Sequence, residues 1–127
     1  MHPILQSGSV INGEQVEATH KLLHELFDKA MRSRGDAQCQ EYIGRIQRVL
    51  PRHMAFEEAQ GGLFSWLEAI LPKRRGEVQQ LMAEHAQMHS MLGELDESTL
   101  PTFGKLFLRH EAAEYELLEA ARAETRV

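Results

Sequence analysis

A chain of 127 residues with a formal charge of −5, hydrophobic content of 43% and one cysteine has room for a single domain with one core. The acidic balance argues against phosphate-backbone binding, which needs a net basic face. Cys39, standing alone, excludes both a disulfide framework and a CxxC metal knuckle.

No apolar run approaches the roughly 18 residues of a membrane span, and residues 1–9 lack the basic and apolar regions of a secretory signal. A cytoplasmic protein with no membrane or nucleic-acid partner is therefore expected; its oligomeric state is open. Arg45, Arg48, Arg52 and the Lys73-Arg74-Arg75 run are basic, but Glu and Asp surround them. They read as solvated helix surface.

In chain order, residues 1–12 mix Pro, Gly and Ser with little periodicity and are expected to form an arm over a 1–127 domain. A first helix is expected from Asn12 or Gly13. Val16, His20, Leu23, Phe27 and Ala30 supply its core-facing seam, and Gly35 suits the left-handed conformation at its end. Asp36 is the natural N-cap of a second helix, whose seam runs through Ile43, Ile46, Leu50, His53 and Glu57. Pro51 lies inside that helix at a cost of about 3 kcal/mol, and Gly61-Gly62 is a second weak point. A bend or break is expected after Glu57.

A third helix is expected over roughly 75–95, with Val78, Leu81, His85, Met88, Leu92 and Leu95 inward. Ser98 or Thr99 is positioned to cap a fourth, and Pro101 falls in its first turn, where proline is tolerated. Phe103, Phe107, His110, Glu114, Leu117 and Ala121 form the last seam. No stretch alternates as a strand does. The expected fold is all-α, an antiparallel up-down-up-down four-helix bundle whose short connections join neighbours.

The chemistry lies in four pairs at helical spacing: His20 with His24, His53 with Glu57, His85 with His89, and His110 with Glu114. Members of such a pair stack on one helix face. His2 stands outside the pattern. Four imidazoles and two carboxylates aimed into one small core are costly unless something satisfies them, and a metal pair would satisfy them together. Counted from the expected hairpins near residues 35 and 97, His20 and His53 fall at one height, and so do His85 and His110. Glu57 and Glu114 lie one turn beyond, placed to bridge two ions from opposite helices. His24 and His89 are one turn nearer the hairpins and slightly off the seam, as ligands, as hydrogen-bonding supports of ligands, or as surface residues.

Imidazole with carboxylate suits iron, manganese or zinc, and two bridging carboxylates favour a di-iron centre. A zinc-protease His-Glu-x-x-His is excluded, because Lys21 and Ala86 follow the first histidines of their pairs. A ferritin-like site wants Glu-x-x-His twice. Glu17 supplies one such motif, but Met82 and Phe107 stand where the others would need glutamate.

The phrases His53-Met-Ala-Phe-Glu57-Glu58, Glu84-His85 and His110-Glu-Ala-Ala-Glu114, with His20 upstream, resemble the hemerythrin-like (HHE cation-binding) domains over about residues 16–122. That resemblance implies a bundle holding two iron ions, oxo- or hydroxo-bridged. His20, His53, His85 and His110 would be terminal ligands, Glu57 and Glu114 would bridge, and the His85/His89 pair would give two histidines to one iron. The implied function is binding of a small ligand (oxygen, nitric oxide or peroxide) for oxygen binding, storage or sensing, with Leu23, Phe27, Phe56, Phe103 and Phe107 as an apolar lining. The alternatives are a di-iron redox enzyme acting on peroxide or nitric oxide, an iron-responsive interaction module, and a helical adaptor without metal.

Overall fold

The computed structural model describes the backbone of residues 3–126 and the side chains of residues 16–126; His2 lies outside the described residues. Helix α1 spans Pro3–Arg32, α2 Ala37–Glu58, α3 Leu63–Ile70, α4 Arg75–Leu92 and α5 Leu100–Thr125, with a single 3-10 turn at Pro72–Arg74 before α4. No strand occurs among the described residues. Helices α2 and α3 together make one broken rod, so the bundle has four: α1, α2–α3, α4 and α5. The first rod packs on the second and the last, and the second packs on α4.

Two boundaries and one cap differ from the sequence reading, α4 ending at Leu92 where about 95 was expected. The stretch expected as an arm is continuous with α1, whose first residue is Pro3; there the missing N–H removes no helical bond. The glycines at 8 and 13 weaken a helix without ending it. At the start of α5, neither Ser98 nor Thr99 caps through its side chain. Asp96 does the work instead. Its Oδ1 accepts from the backbone N–H of Ser98 at 2.9 Å and of Thr99 at 3.0 Å.

Pro51 leaves α2 unbroken, since the helix runs on to Glu58. The break comes at the glycines. Gly61 adopts φ +80°, and a Cβ on Gly62 would stand 2.5 Å from the Phe56 carbonyl oxygen. Only glycine fits there, and this tight turn starts α3 at Leu63, where Leu63, Phe64 and Leu67 are buried. Gly35, at φ +93°, ends the α1 hairpin as its position predicts.

The apolar core comes in two parts. One, near the two hairpins, is built from Leu23, Phe27, Ile46, Leu50, Phe103 and Phe107 with their neighbours. The other, at the far end, is built from Val16, Phe64, Leu67, Leu81, Leu117 and Leu118 with theirs. Between them lies a layer of buried polar side chains: His20, His53, Glu57, His85, His110 and Glu114. Charged and imidazole groups there forgo hydration that the flanking hydrocarbon cannot replace.

Candidate metal centre

Each rod sends histidine into the polar layer from its seam, and α2 and α5 add a carboxylate one turn later. In α2, His53 Nε2 lies 3.2 Å from Glu57 Oε2. In α5, His110 Nε2 lies 3.2 Å from Glu114 Oε2. Across the bundle, His20 Nε2 of α1 approaches Glu114 Oε1 at 3.1 Å and Glu57 Oε2 at 3.9 Å, while His85 Nε2 of α4 lies 3.2 Å from Glu57 Oε1.

Two overlapping groups result. His20, His53, Glu57 and Glu114 form one, and Glu57, His85, His110 and Glu114 the other, the potential ligand atoms within each lying within 4.8 Å of one another. Both carboxylates belong to both groups. Glu57 turns Oε2 to the first and Oε1 to the second; Glu114 turns Oε1 to the first and Oε2 to the second.

The donor set fits a pair of cations. His53 Nε2, His85 Nε2, His110 Nε2 and all four oxygens of Glu57 and Glu114 are buried without a hydrogen-bond partner. These atoms sit close together yet are not aligned to hydrogen-bond one another; they converge as lone pairs around an ion do. Buried polar groups are otherwise nearly always satisfied, and the summed cost of leaving so many unpaired rivals the stability of a domain this size.

The electrostatics agree. Burial drives the Glu57 carboxyl well above the usual carboxylate range, with Glu114 beside it adding to the rise. Burial pushes Glu114 the same way, but its contacts with Glu57, His110 and His20 hold it well below that range. Two carboxyls this close and this buried disfavour carrying both negative charges at once, and positive charge between them would relieve that. Burial lowers His53 to about 3 and, with His110 beside it, also lowers His85. These imidazoles stay neutral, the form that binds metal.

A second ring of carboxylates orients the imidazoles from behind. Glu58 Oε2 lies 2.6 Å from His85 Nδ1, and Glu84 Oε1 lies 2.7 Å from His110 Nδ1. Glu111 Oε2 is 3.4 Å from His20 Nδ1, near it but not hydrogen-bonded to it. A hydrogen bond to Nδ1 fixes the tautomer that leaves Nε2 free to coordinate. The sequence reading did not assign these supporting roles to Glu58 or Glu84. The available signal was that each is next in sequence to a seam residue, 100° around its helix and hence facing a neighbouring rod.

The eight expected metal positions divide. Six converge: His20, His53, Glu57, His85, His110 and Glu114. His24 does not join them; its ring is 46% exposed and its Nε2 hydrogen-bonds Glu111. His89 is exposed on α4 and belongs to neither group, so α4 brings one histidine to the centre and not two. One turn nearer the hairpins the interior is already filled with hydrocarbon: Phe27 stacks on Phe103 and Phe107, and α4 buries Met88 and Leu92 on either side of His89. Cys39 is buried, its thiol donating to the Ala30 carbonyl at 3.3 Å, away from the centre.

The sequence profile described as the hemerythrin HHE cation binding domain matches residues 13–125. No curated protein and no solved structure shows significant similarity to the chain.

Proposed function

The chain belongs to the hemerythrin HHE cation-binding family, and from that premise we propose that its buried layer holds two iron ions and binds a small ligand, dioxygen first among them, for oxygen binding, storage or sensing. One observation carries this reading: two buried carboxylates each present one oxygen to each of two histidine pairs. A single ion would leave half of those oxygens without a partner.

Two ferrous ions held there would supply reversible electron transfer to dioxygen. The chain's own residues do the rest. His20 and His53 would hold one ion, His85 and His110 the other, and Glu57 and Glu114 would span both. That is four protein donor atoms per ion, which leaves iron, able to take five or six, with room for an exogenous ligand. Phe64, with its ring centroid 4.9 Å from that of His85, covers the second pair, and Phe107, at 6.2 Å from His20, packs beside the first. Glu58 and Glu84 hold the tautomers of His85 and His110.

The grooves that reach His20 and His53 favour a second reading, a redox enzyme acting on peroxide or nitric oxide, since a consumed substrate needs ready exchange. Metal analysis and visible spectra test both. About two irons per chain and an oxygen-dependent band that reverses under vacuum are expected. Sustained peroxide or nitric oxide consumption would favour the enzyme. Protein that takes up no iron would end both readings.

A further inference from the structure

Three open grooves approach the centre, and their charges differ. The groove between α1 and α5, of about 500 Å³, carries Glu17 and Glu111 against Lys21. The one between α4 and α5, of about 250 Å³, is lined by Glu77, Glu84 and Glu116, the first and last of which pair with Arg74. The groove between α1 and α2, of about 590 Å³, is lined by Thr19, Leu22, Arg48, Val49, Arg52, His53 and Phe56 and by no carboxylate.

Arg48 and Arg52 lie one turn apart on a groove that no carboxylate lines, in a chain with net charge −5. Arg32, Arg45, Arg74, Arg75 and Arg122 each pair with a carboxylate. Arg48 and Arg52, like Arg34, Arg109 and Arg126, form no ion pair among the described residues, and of these five only they line a groove shared with His53. His53 also lines that groove, a buried side chain whose Nε2 faces Glu57 in the polar layer. The sequence reading took these arginines for ordinary solvated surface. The structure places them over one half of the metal layer.

We infer that the α1–α2 groove is an oxyanion port: Arg48 and Arg52 gather a small inorganic oxyanion above His53 and deliver it to the His20–His53 half of the centre. Delivery to the centre rests on the metal reading above; capture by the arginines does not. Arg48 and Arg52 are exposed and free to swing over the groove, and a guanidinium suits a planar, resonance-delocalised oxyanion through forked hydrogen bonds. A mouth of one charge sign in low-dielectric walls raises the local concentration of the opposite charge. The Thr19 hydroxyl adds a neutral donor on the α1 side. Dioxygen, uncharged, gains nothing from this arrangement, and that separates the port from a general opening.

Nitrite serves as the probe, in two arms. In the metal-free protein, nitrite is titrated while backbone amide shifts are followed by NMR; saturable shifts at Arg48, Arg52 and His53 are expected, and abolished in R48Q/R52Q. In iron-loaded protein, the nitrite association rate is expected to fall about tenfold or more in R48E/R52E, to lose its dependence on ionic strength, and to recover in R48K/R52K. Oxygen association should stay within about twofold, and the control K73E/K105E should leave nitrite unchanged. Iron content and helicity are measured for every variant. Protein that takes no iron ends the metal reading alone, since the metal-free titration still decides capture. Absence of shifts at the arginines, equal nitrite rates in R48E/R52E and K73E/K105E, or an equal fall in the oxygen rate overturns the port.

Discussion

The two halves of the polar layer are built from the same residue types and live in different surroundings. His85 and His110 are 1% and 2% exposed, and His20 and His53 are 9% and 6%. The His85–His110 half is covered by Phe64 and tied from behind by two short carboxylate contacts, Glu58 at 2.6 Å and Glu84 at 2.7 Å. The His20–His53 half borders two open grooves and has one longer contact, Glu111 at 3.4 Å. Coordination chemistry alone would make the halves equivalent. Packing makes one a sealed anchor and the other a face that a ligand can reach.

The largest expected effect tests whether the halves are separable at all. Glu57 and Glu114 serve both, so Glu57→Ala or Glu114→Ala should abolish binding of both ions. His53→Ala should leave about one iron per chain, held on the sealed side. His85→Ala should cost more, because the ion left behind would depend on the half with the weaker support. Metal content after desalting measures this. Equal stoichiometry in the two histidine variants would dissolve the distinction.

Next come the supporting carboxylates. Glu58→Gln and Glu84→Gln should each lower iron affinity by about 10- to 100-fold, the usual range for groups that orient a ligand. Glu111→Gln should lower it less, since its contact with His20 is longer. Competition with a chromophoric chelator gives all three numbers.

These supporting groups mark the limit of what was legible in the chain alone. The six converging side chains could be read because they lie on hydrophobic seams, where periodicity fixes which way they face. The height match between paired rods followed from hairpin positions. The break after Glu58 followed from Gly61-Gly62. Glu84 and Glu111, by contrast, act across helix boundaries: Glu84 precedes His85 and yet supports His110. That choice depends on how each rod is rotated, which spacing within a helix does not encode. The same gap explains His24 and His89. Their interval matches the ligand pairs, but the layer they would enter is occupied by hydrocarbon. Arg48 and Arg52 are a third case, since their lack of partners is a property of the neighbouring rods.

A smaller effect separates His53 from His110 by acid in metal-free protein. Burial, opposed in part by Glu114, lowers His53 to about 3. Its unfolded counterpart near 6.5 takes up a proton first, so its contribution to stability is full above about pH 6.5 and is lost as pH falls toward 3. His110 has the opposite sign. Burial pulls it down, but Glu114 and Glu84 outweigh burial and raise it. Its contribution is full below about pH 6.5 and is lost as pH rises through the folded value. In urea unfolding at pH 7 and pH 5, metal-free His53→Gln should lose less stability on acidification than the parent, and His110→Gln should lose more. Matching slopes would mean that the two histidines feel one environment.

The smallest effect concerns the pair that spacing made look like ligands. His24 hydrogen-bonds Glu111, and Glu111 reaches the far nitrogen of His20, so His24 sits two contacts from the open half. An ion pair this exposed is worth at most about 1 kcal/mol. His24→Ala should therefore weaken iron binding no more than about fivefold, with the loss confined to the more weakly held ion. His89 touches neither group, and His89→Ala should match the parent within error. If Glu111 is the only link, His24→Ala in a Glu111→Gln background should change nothing further, since neighbours in one network are non-additive. An additive loss in that double variant would mean that His24 reaches the metal by itself, and the open half would then have a third imidazole at its edge.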